Sequence, residues 1–285
     1  MQLSHELDGL ARCGTTRLGW DRLVVPPVTL DALHAICAQA RLRARVGDEW
    51  GFARHHSLGH GVKALFYGRP GTGKTLAAEI VATELALPLY QIDVSRIVSK
   101  WIGETEQNLS RLFDEAAKSQ AILVFDEADS LFSRRTAIQS SADRYGNMEV
   151  NHLLQRVDAH EGIIFLTTNL KANLDDAFAR RLHFAVEFPE PDSSAREQIW
   201  RLSIPPQAPL GADVDLALLA QRFEIPGGAI KNAVVGAAYL AASDGGVIEQ
   251  RHLAAALRRE FAKLDRLYQR AELDALTSPA AGLVS

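Results

Sequence analysis

The sequence GRPGTGKT, at residues 68–75, has the spacing GxxxxGK[ST] of a loop that binds phosphate. Its glycines permit backbone dihedral angles that a Cβ would obstruct, so that several N–H groups can converge on one anion. An apolar run at residues 64–67 precedes the loop, and a strong helix-forming segment from Leu76 onward follows it. This order of strand, loop and helix favours a phosphate-binding loop over a chance match, which has a probability on the order of one per cent.

Two side chains of this loop can act directly on a bound nucleotide. Lys74 can place a positive charge on the β and γ phosphates, and Thr75 can offer a hydroxyl to Mg²⁺. The helix that begins at this point directs the positive end of its dipole toward the phosphates. The loop therefore predicts a site for a nucleoside triphosphate and its cation.

Two adjacent acids follow a second apolar run in the sequence. Residues 122–125, ILVF, are typical of a strand buried on both faces of a parallel sheet, and Asp126 and Glu127 come directly after them. Open α/β sheets bind ligands at the carboxyl ends of their strands. Asp126 can hold the Mg²⁺ shell, and Glu127 can polarise a water molecule for attack on the γ phosphate. The alternative is that the two acids form a turn after a core strand. Only the presence of the phosphate-binding loop makes this alternative less favourable than a catalytic pair.

Further polar residues follow the next predicted strand, at residues 163–168. Asn169 ends this strand, where its amide could orient the attacking water, although a turn-forming asparagine is the default interpretation. Arg180 and Arg181 end a short predicted helix, and adjacent arginines usually lie on a solvated surface.

The segment SKWIG, residues 99–103, lies between a predicted strand at 89–93 and a predicted helix at 105–118. A tryptophan beside a glycine, flanked by Lys100 and Glu104, fits an exposed loop tip better than a core position. A tryptophan that folds back over the start of the helix is the alternative, and this segment alone leaves it open.

The composition and charge of the chain limit the classes of protein to which it can belong. The chain has 285 residues, of which 47% are hydrophobic and 23% charged, which is enough for one large domain and a smaller one. A net charge of -4 gives no basic excess for a nucleic-acid backbone. The first thirty residues lack an export signal, and no apolar stretch approaches the ~18 residues of a membrane span. We therefore expect a cytoplasmic protein.

Five motifs in this order resemble the AAA family of protein-remodelling ATPases: GRPGTGKT, SKWIGETEQNLSRLFDEA, ILVFDEAD, TTN and LDDAFARRL. The resemblance extends from about Trp20 to about Lys263. It implies an α/β fold of the phosphate-loop NTPase class, with three α/β/α layers, a parallel sheet in the order 5-1-4-3-2 and a small helical lid domain. It also implies a homo-oligomeric ring, usually a hexamer, with ATP at the subunit interfaces.

Matched position by position, the resemblance implies a role for each motif. ATP-binding residues would be Gly68, Pro70, Gly71, Thr72, Gly73, Lys74, Thr75, Leu76 and Asp126, with Thr75 and Asp126 serving Mg²⁺. Glu127 would be the base, Asn169 the γ-phosphate sensor, and Arg180 and Arg181 the arginine fingers that reach the ATP of a neighbouring subunit. The substrate-gripping pore loop would be Lys100, Trp101, Ile102 and Gly103. The adjacent arginines are more similar to the microtubule-severing and endosomal-sorting branches than to members with spaced arginines.

Four regions are expected along the chain. They are a short N-terminal segment (1–20), a nucleotide-binding α/β domain (21–190), a helical lid (191–264), and a helix extension with a disordered tail (265–285). The first region has far fewer than the ~40 residues that usually fold alone, so we expect no independent adaptor domain within it.

The sequence thus predicts a Mg²⁺-dependent ATPase that remodels proteins, more specifically a bacterial single-module member similar to those encoded with contractile injection particles. A nucleic-acid clamp or helicase loader would share the loop and the acid pair, but the acidic balance and the tryptophan motif argue against it. A scaffold that binds ATP without turnover is the other alternative, although it would not need Glu127, Asn169 and two arginines. No residue pattern identifies the protein substrate.

Overall fold

The computed structural model describes residues 11–14, 16, 18–56, 61–93, 104–128, 153–169 and 180–263. The predicted pore loop, Lys100–Gly103, and the predicted tail at 265–285 lie outside these residues. The chain divides into two compact units, of which the first comprises Met1–Arg69 with Gly73–Pro189, and the second Pro70–Thr72 with Glu190–Ser285.

A six-stranded sheet forms the centre of the first unit. Its strands are β1 (Ala11–Gly14), β2 (Val62–Tyr67), β3 (Leu89–Asp93), β4 (Ile122–Asp126), β5 (Ile163–Thr168) and β6 (Phe184–Glu187). They lie in the order β1-β3-β4-β5-β2-β6. Every neighbouring pair is parallel except β1 with β3, which is antiparallel. The α/β class predicted from the sequence is confirmed.

The strand order differs from the predicted one by an additional strand. The five parallel strands, numbered among themselves, follow the order 5-1-4-3-2, whereas β1 adds an antiparallel edge beside β3. Residues 11–14 of the predicted N-terminal segment, 1–20, therefore belong to the sheet. No local pattern in ARCG predicts this strand, because its partner residues 89–92 lie far along the chain.

Six helical segments belong to the first unit among the described residues. They are α1 (Pro27–Ala44), a π-helical turn (Arg45–Glu49), α2 (Phe52–His56), α3 (Lys74–Leu85), α4 (Glu104–Ser119) and α5 (153–159). A proline stands at the first position of α1, where its missing N–H and preset φ favour helix initiation. Within α1, the Thr29 hydroxyl donates to the Glu187 carbonyl at 2.8 Å and so ties the helix to β6.

The core lies on both faces of the sheet, because successive residues of a strand point to opposite sides. Phe66 of β2 belongs to the cluster that α1 and α3 cover, and its ring centroid lies 4.9 Å from that of Phe165. Leu65, its neighbour in β2, belongs to the cluster that α4 and α5 cover. Both clusters consist almost entirely of aliphatic and aromatic side chains, so the sheet is buried between helical layers.

The second unit is helical. It contains α6 (Ser193–Ser203), α7 (Leu216–Arg222), α8 (Gly227–Ser243) and α9 (Gln250–Lys263) around a core that includes Trp200, Phe223 and Phe261. The Asp192 carboxylate caps α6 by accepting the Ala195 N–H at 2.7 Å, and Asp215 caps α7 in the same way. The role of residues 191–264 as a lid stays a prediction. In the part of the chain that is described, no helix combines the length and apolarity needed to cross a membrane.

A buried histidine makes the stability of the first unit depend on pH. His160 is 8% exposed, and its ring meets Phe113 edge-on at a centroid distance of 5.4 Å. Burial, with the nearby charges of Lys63, Arg156 and Arg43, lowers the pKa of His160 from 6.5 to about 4. The unfolded chain binds this proton below pH 6.5, whereas the folded chain does not until about pH 4. The free energy of unfolding should therefore be about 1 to 2 kcal/mol lower at pH 5 than at pH 7 from this group.

The His160→Gln variant isolates this contribution, because it cannot titrate while the other groups remain. Urea unfolding of both proteins at pH 7 and pH 5 should show a smaller loss of stability for the variant. Equal losses in the two proteins would mean that His160 does not carry the effect. His183, whose pKa burial also lowers, is present in both proteins and cancels in the comparison.

Candidate nucleotide site

The phosphate-binding loop has the backbone that its glycines predict. Gly68, Gly71 and Gly73 have φ angles of 147°, 78° and 102°, which side chains with a Cβ rarely adopt. A Cβ on Gly68 would lie 2.1 Å from the Phe188 carbonyl oxygen, so this position admits only glycine. Gly73 is the N-cap residue of α3. The end of the loop therefore coincides with the start of α3, where the helix dipole favours an anion.

Lys74 is buried, and the surrounding oxygens accept hydrogen bonds from its ammonium group. Its Nζ donates to the carbonyl oxygens of Gly68 at 2.5 Å and Arg69 at 3.0 Å, and to Asn169 Oδ1 at 3.0 Å. A buried ammonium is costly unless its three N–H groups find acceptors, and three acceptors are present here. The contact with Asn169 brings together two residues that lie 95 positions apart in the sequence.

Asn169 follows β5, and its contact with Lys74 determines how its amide is oriented. Because Oδ1 accepts from Lys74, the Nδ2 group is the part of the amide that can donate elsewhere. The structure therefore orders this side chain at the carboxyl end of a strand that adjoins both β2 and β4. The role of Asn169 as a water-orienting amide stays a prediction.

Asp126 is the last residue of β4, and hydrogen bonds from both neighbouring strands hold its carboxylate. Gln91 of β3 donates its Nε2 to Asp126 Oδ2 at 2.8 Å. Thr167 of β5 donates its hydroxyl to Oδ1, which also accepts the Glu127 N–H at 3.2 Å. Gln91 lies outside the sequence motifs, and Thr167 is the first residue of the TTN motif, which assigns it no role. A signal was present, since each is a polar residue that directly follows apolar or aromatic residues of its strand, but only strand register brings them to Asp126.

Glu127 is exposed at the same strand end, in a conformation that is unusual for a residue other than glycine. Its φ is 53°, in the left-handed region, and its N–H donates to Thr167 Oγ1 at 3.3 Å. The next residue, Ala128, donates its N–H to the Thr167 carbonyl at 2.9 Å. Such backbone conformations persist where surrounding contacts enforce them, and they cluster at functional sites.

The two predicted arginine fingers differ in their contacts. Both are exposed, but Arg181 forms an ion pair with Asp158 of α5, with a distance of 2.5 Å between Nη1 and Oδ2. For Arg180, no ion pair is found within the described residues. Exposed ion pairs contribute only about 0 to 1 kcal/mol, so the pair with Asp158 can open at little cost. The structure therefore distinguishes two arginines that the sequence left equivalent.

The remaining residues that the sequence predicts to bind ATP lie in the loop and at the start of α3. Thr75 is half-buried in the first turn of α3, and Leu76 packs against the core of the first unit. Pro70, Gly71 and Thr72 group with the second unit, within which the Gly228 N–H donates to the Gly71 carbonyl at 2.9 Å.

Known proteins resemble this chain over the region that contains the site. Residues 64–190 match the family described as "ATPase family associated with various cellular activities (AAA)". An uncharacterized AAA family ATPase of Sinorhizobium fredii is 39% identical over 143 residues, which are 50% of this chain and 43% of that protein. The ATP-dependent zinc metalloprotease FtsH of Lachnoclostridium phytofermentans is 32% identical over 226 residues, or 74% of this chain and 39% of that protein.

A third relative is the proteasome-activating nucleotidase of Saccharolobus solfataricus, which is 33% identical over 189 residues, covering 64% of this chain and 48% of that protein. The chain thus spans less than half the length of each of these relatives. The matched region includes residues 64–67 of β2, the phosphate-binding loop, the acid pair, Asn169 and both arginines. This chain therefore has an AAA family ATPase domain, and residues 64–190 lie in it.

Proposed function

We propose that this chain is a Mg²⁺-dependent ATPase that works in the cytoplasm as a homo-oligomeric ring, most simply a hexamer, and uses ATP hydrolysis to remodel proteins. One observation carries the proposal. Lys74 contacts Asn169 at 3.0 Å, and the Asp126–Glu127 pair ends the strand beside that of Asn169. Lys74, Asp126, Glu127 and Asn169 thus lie near the same strand ends, where they would serve as the cation for phosphate, the carboxylate for Mg²⁺, the base and the water-orienting amide.

Binding of the triphosphate would use the loop and Lys74. The N–H groups of residues 68–75 would receive the phosphate oxygens, with the N-terminus of α3 behind them. The Lys74 ammonium would exchange the carbonyls of Gly68 and Arg69 for phosphate oxygens, which are stronger acceptors because they are charged. Its third contact, with Asn169, would keep that amide next to the γ phosphate.

Thr75 and Asp126 would hold Mg²⁺, and this set suits the ion because both residues offer oxygen ligands. The ion, when bound, would neutralise charge on the β and γ phosphates. Glu127 would accept the proton of the attacking water, and the Asn169 amide would orient that water. An arginine from a neighbouring subunit would stabilise the charge of the transition state, and the contacts of Arg181 favour Arg180 for this role.

Remodelling of proteins is the work that the sequence motifs and the relatives favour. The names of two relatives, a metalloprotease and a proteasome-activating nucleotidase, connect ATP or nucleotides with protein breakdown. In this chain, gripping of a polypeptide would fall to Trp101 and Ile102, in the predicted pore loop. The Trp101→Ala variant should lose remodelling of a protein substrate and keep ATP hydrolysis.

ATP turnover per subunit, measured as the protein concentration is raised, tests the proposal. A steep rise is expected because the site is completed by an arginine of another subunit, and the Lys74→Met variant should stay inactive at every concentration. A flat, appreciable rate would contradict the ring, since each chain would then hold a complete site. No turnover at any concentration would favour a scaffold, and strong salt-sensitive stimulation by DNA would favour a nucleic-acid function.

A further inference from the structure

Two side chains to which the sequence motifs assign no role donate hydrogen bonds to the carboxylate of Asp126. Gln91 comes from β3, on one side of β4, and Thr167 from β5, on the other side. Thr167 is 1% exposed, so solvent cannot replace its hydroxyl if it is removed. Each side chain donates to a different oxygen of Asp126. The carboxylate is therefore held from both sides, and rotation of its side chain would break at least one of these bonds.

Thr167 also connects Asp126 to Glu127. A hydroxyl can donate one hydrogen bond and accept up to two, and Thr167 Oγ1 donates to Asp126 and accepts the Glu127 N–H at 3.3 Å. The Thr167 carbonyl accepts the N–H of Ala128, one residue further on. One residue of β5 thus orients the proposed metal carboxylate and holds the left-handed backbone of the proposed base.

The hydrogen bonds also distinguish the two oxygens of Asp126. A carboxylate offers about four acceptor positions, two on each oxygen. Within the described residues, Oδ1 accepts from Thr167 and from the Glu127 N–H, whereas Oδ2 accepts from Gln91. Oδ2 therefore keeps capacity for one more partner, and Gln91 fixes the direction in which that capacity lies.

We propose that Gln91 and Thr167 are positioning residues for the nucleotide site, with different tasks. Gln91 orients Asp126 Oδ2 toward the cation, while Thr167 orients Asp126 and Glu127 together. The inference rests on the proposed ATPase function. It follows that loss of Gln91 should weaken only the effect of Mg²⁺, whereas loss of the Thr167 hydroxyl should also slow the chemical step.

Binding of a fluorescent ADP analogue, in EDTA and in a Mg²⁺ series, tests the first task without turnover. Gln91→Met and Thr167→Val keep the approximate shapes of the side chains and remove their donors. Both should lower the apparent Mg²⁺ affinity by about 10- to 100-fold, the usual cost of losing an outer partner of a metal ligand. The affinity for the analogue in EDTA should not change. Thr167→Ser, which retains the hydroxyl, should behave like the wild type.

Turnover at saturating Mg²⁺ separates the two tasks. Gln91→Met should then recover a kcat close to that of the wild type, because excess cation compensates for weaker binding. Thr167→Val should remain about tenfold slower, with an unchanged KM for ATP, because Glu127 has lost a hydrogen bond that orients it. Thr29→Val is the matched control, since it removes another buried threonine hydroxyl whose acceptor, the Glu187 carbonyl, lies outside the site.

Three results would overturn the inference. The first is that Gln91→Met and Thr167→Val both bind Mg²⁺ as tightly as the wild type does. The second is that Thr167→Ser folds but does not behave like the wild type, and the third is that Thr29→Val loses as much Mg²⁺ affinity and kcat as Thr167→Val. If the wild-type protein itself binds the analogue no better with Mg²⁺ than in EDTA, the result contradicts the proposed Mg²⁺-dependent ATPase function and not only the roles of Gln91 and Thr167. The two failures are therefore distinguishable in one set of titrations.

Discussion

Replacement of Glu127 by glutamine should lower ATP turnover by about 10²- to 10⁴-fold while ATP stays bound. This range is the usual contribution of a general base, and glutamine has nearly the same shape as glutamate but cannot accept the proton. Binding should survive because the loop and Lys74 are unchanged. We expect the variant to trap ATP on an assembled ring. Nucleotide retained after gel filtration, together with the mass of the eluting species, measures both effects.

Glu161→Gln is the matched control for this variant. Glu161 is also exposed, but it precedes β5 at the amino end of the sheet, away from the strand ends that carry the site. Its substitution should leave turnover within about twofold of the wild type, as surface changes usually have small effects. Normal turnover in Glu127→Gln would remove Glu127 from the mechanism, whatever the control does.

Loss of the proposed arginine finger should lower turnover even more, by about 10³- to 10⁵-fold. We expect Arg180→Ala to show this loss. Arg181→Ala should have a smaller effect, because Arg181 is paired with Asp158 of its own chain. Nucleotide affinity should change little in either variant, since neither arginine contacts the phosphate-binding loop of its own chain among the described residues. Steady-state turnover and analogue binding, measured side by side, test this pair.

A mixing experiment shows whether the arginine acts between subunits. Arg180→Ala subunits keep an intact nucleotide site, and Lys74→Met subunits keep an intact arginine, so each is inactive alone for a different reason. A mixed oligomer contains interfaces where an intact site meets an intact arginine, and activity should return. If both variants assemble and the mixture stays inactive, the arrangement in trans is wrong. A larger loss in Arg181→Ala than in Arg180→Ala would reverse their proposed roles.

Much of the fold and of the candidate site follows from local sequence patterns. Glycines in GRPGTGKT are needed for the positive φ angles that the loop adopts, so the sequence specifies this conformation almost without help from the rest of the chain. The run ILVF and the first four residues of IIFLTT are apolar because their strands are buried on both faces of the sheet. Asp126 and Asn169 could therefore be placed at the ends of buried strands, and the family resemblance implied that these strands are neighbours. The structure brings Asn169 to Lys74.

Other features depend on pairing between distant parts of the chain, and no local pattern encodes them. The strand β1 forms only because β3 presents an open edge to it. Gln91 and Thr167 reach Asp126 through the register of three strands, and a shift by one residue would turn each of them to the opposite face of the sheet. Arg181 differs from Arg180 because α5 places Asp158 beside it. The local sequence thus determines which residues can bind a nucleotide. Strand register and helix packing determine which other side chains contact and orient those residues.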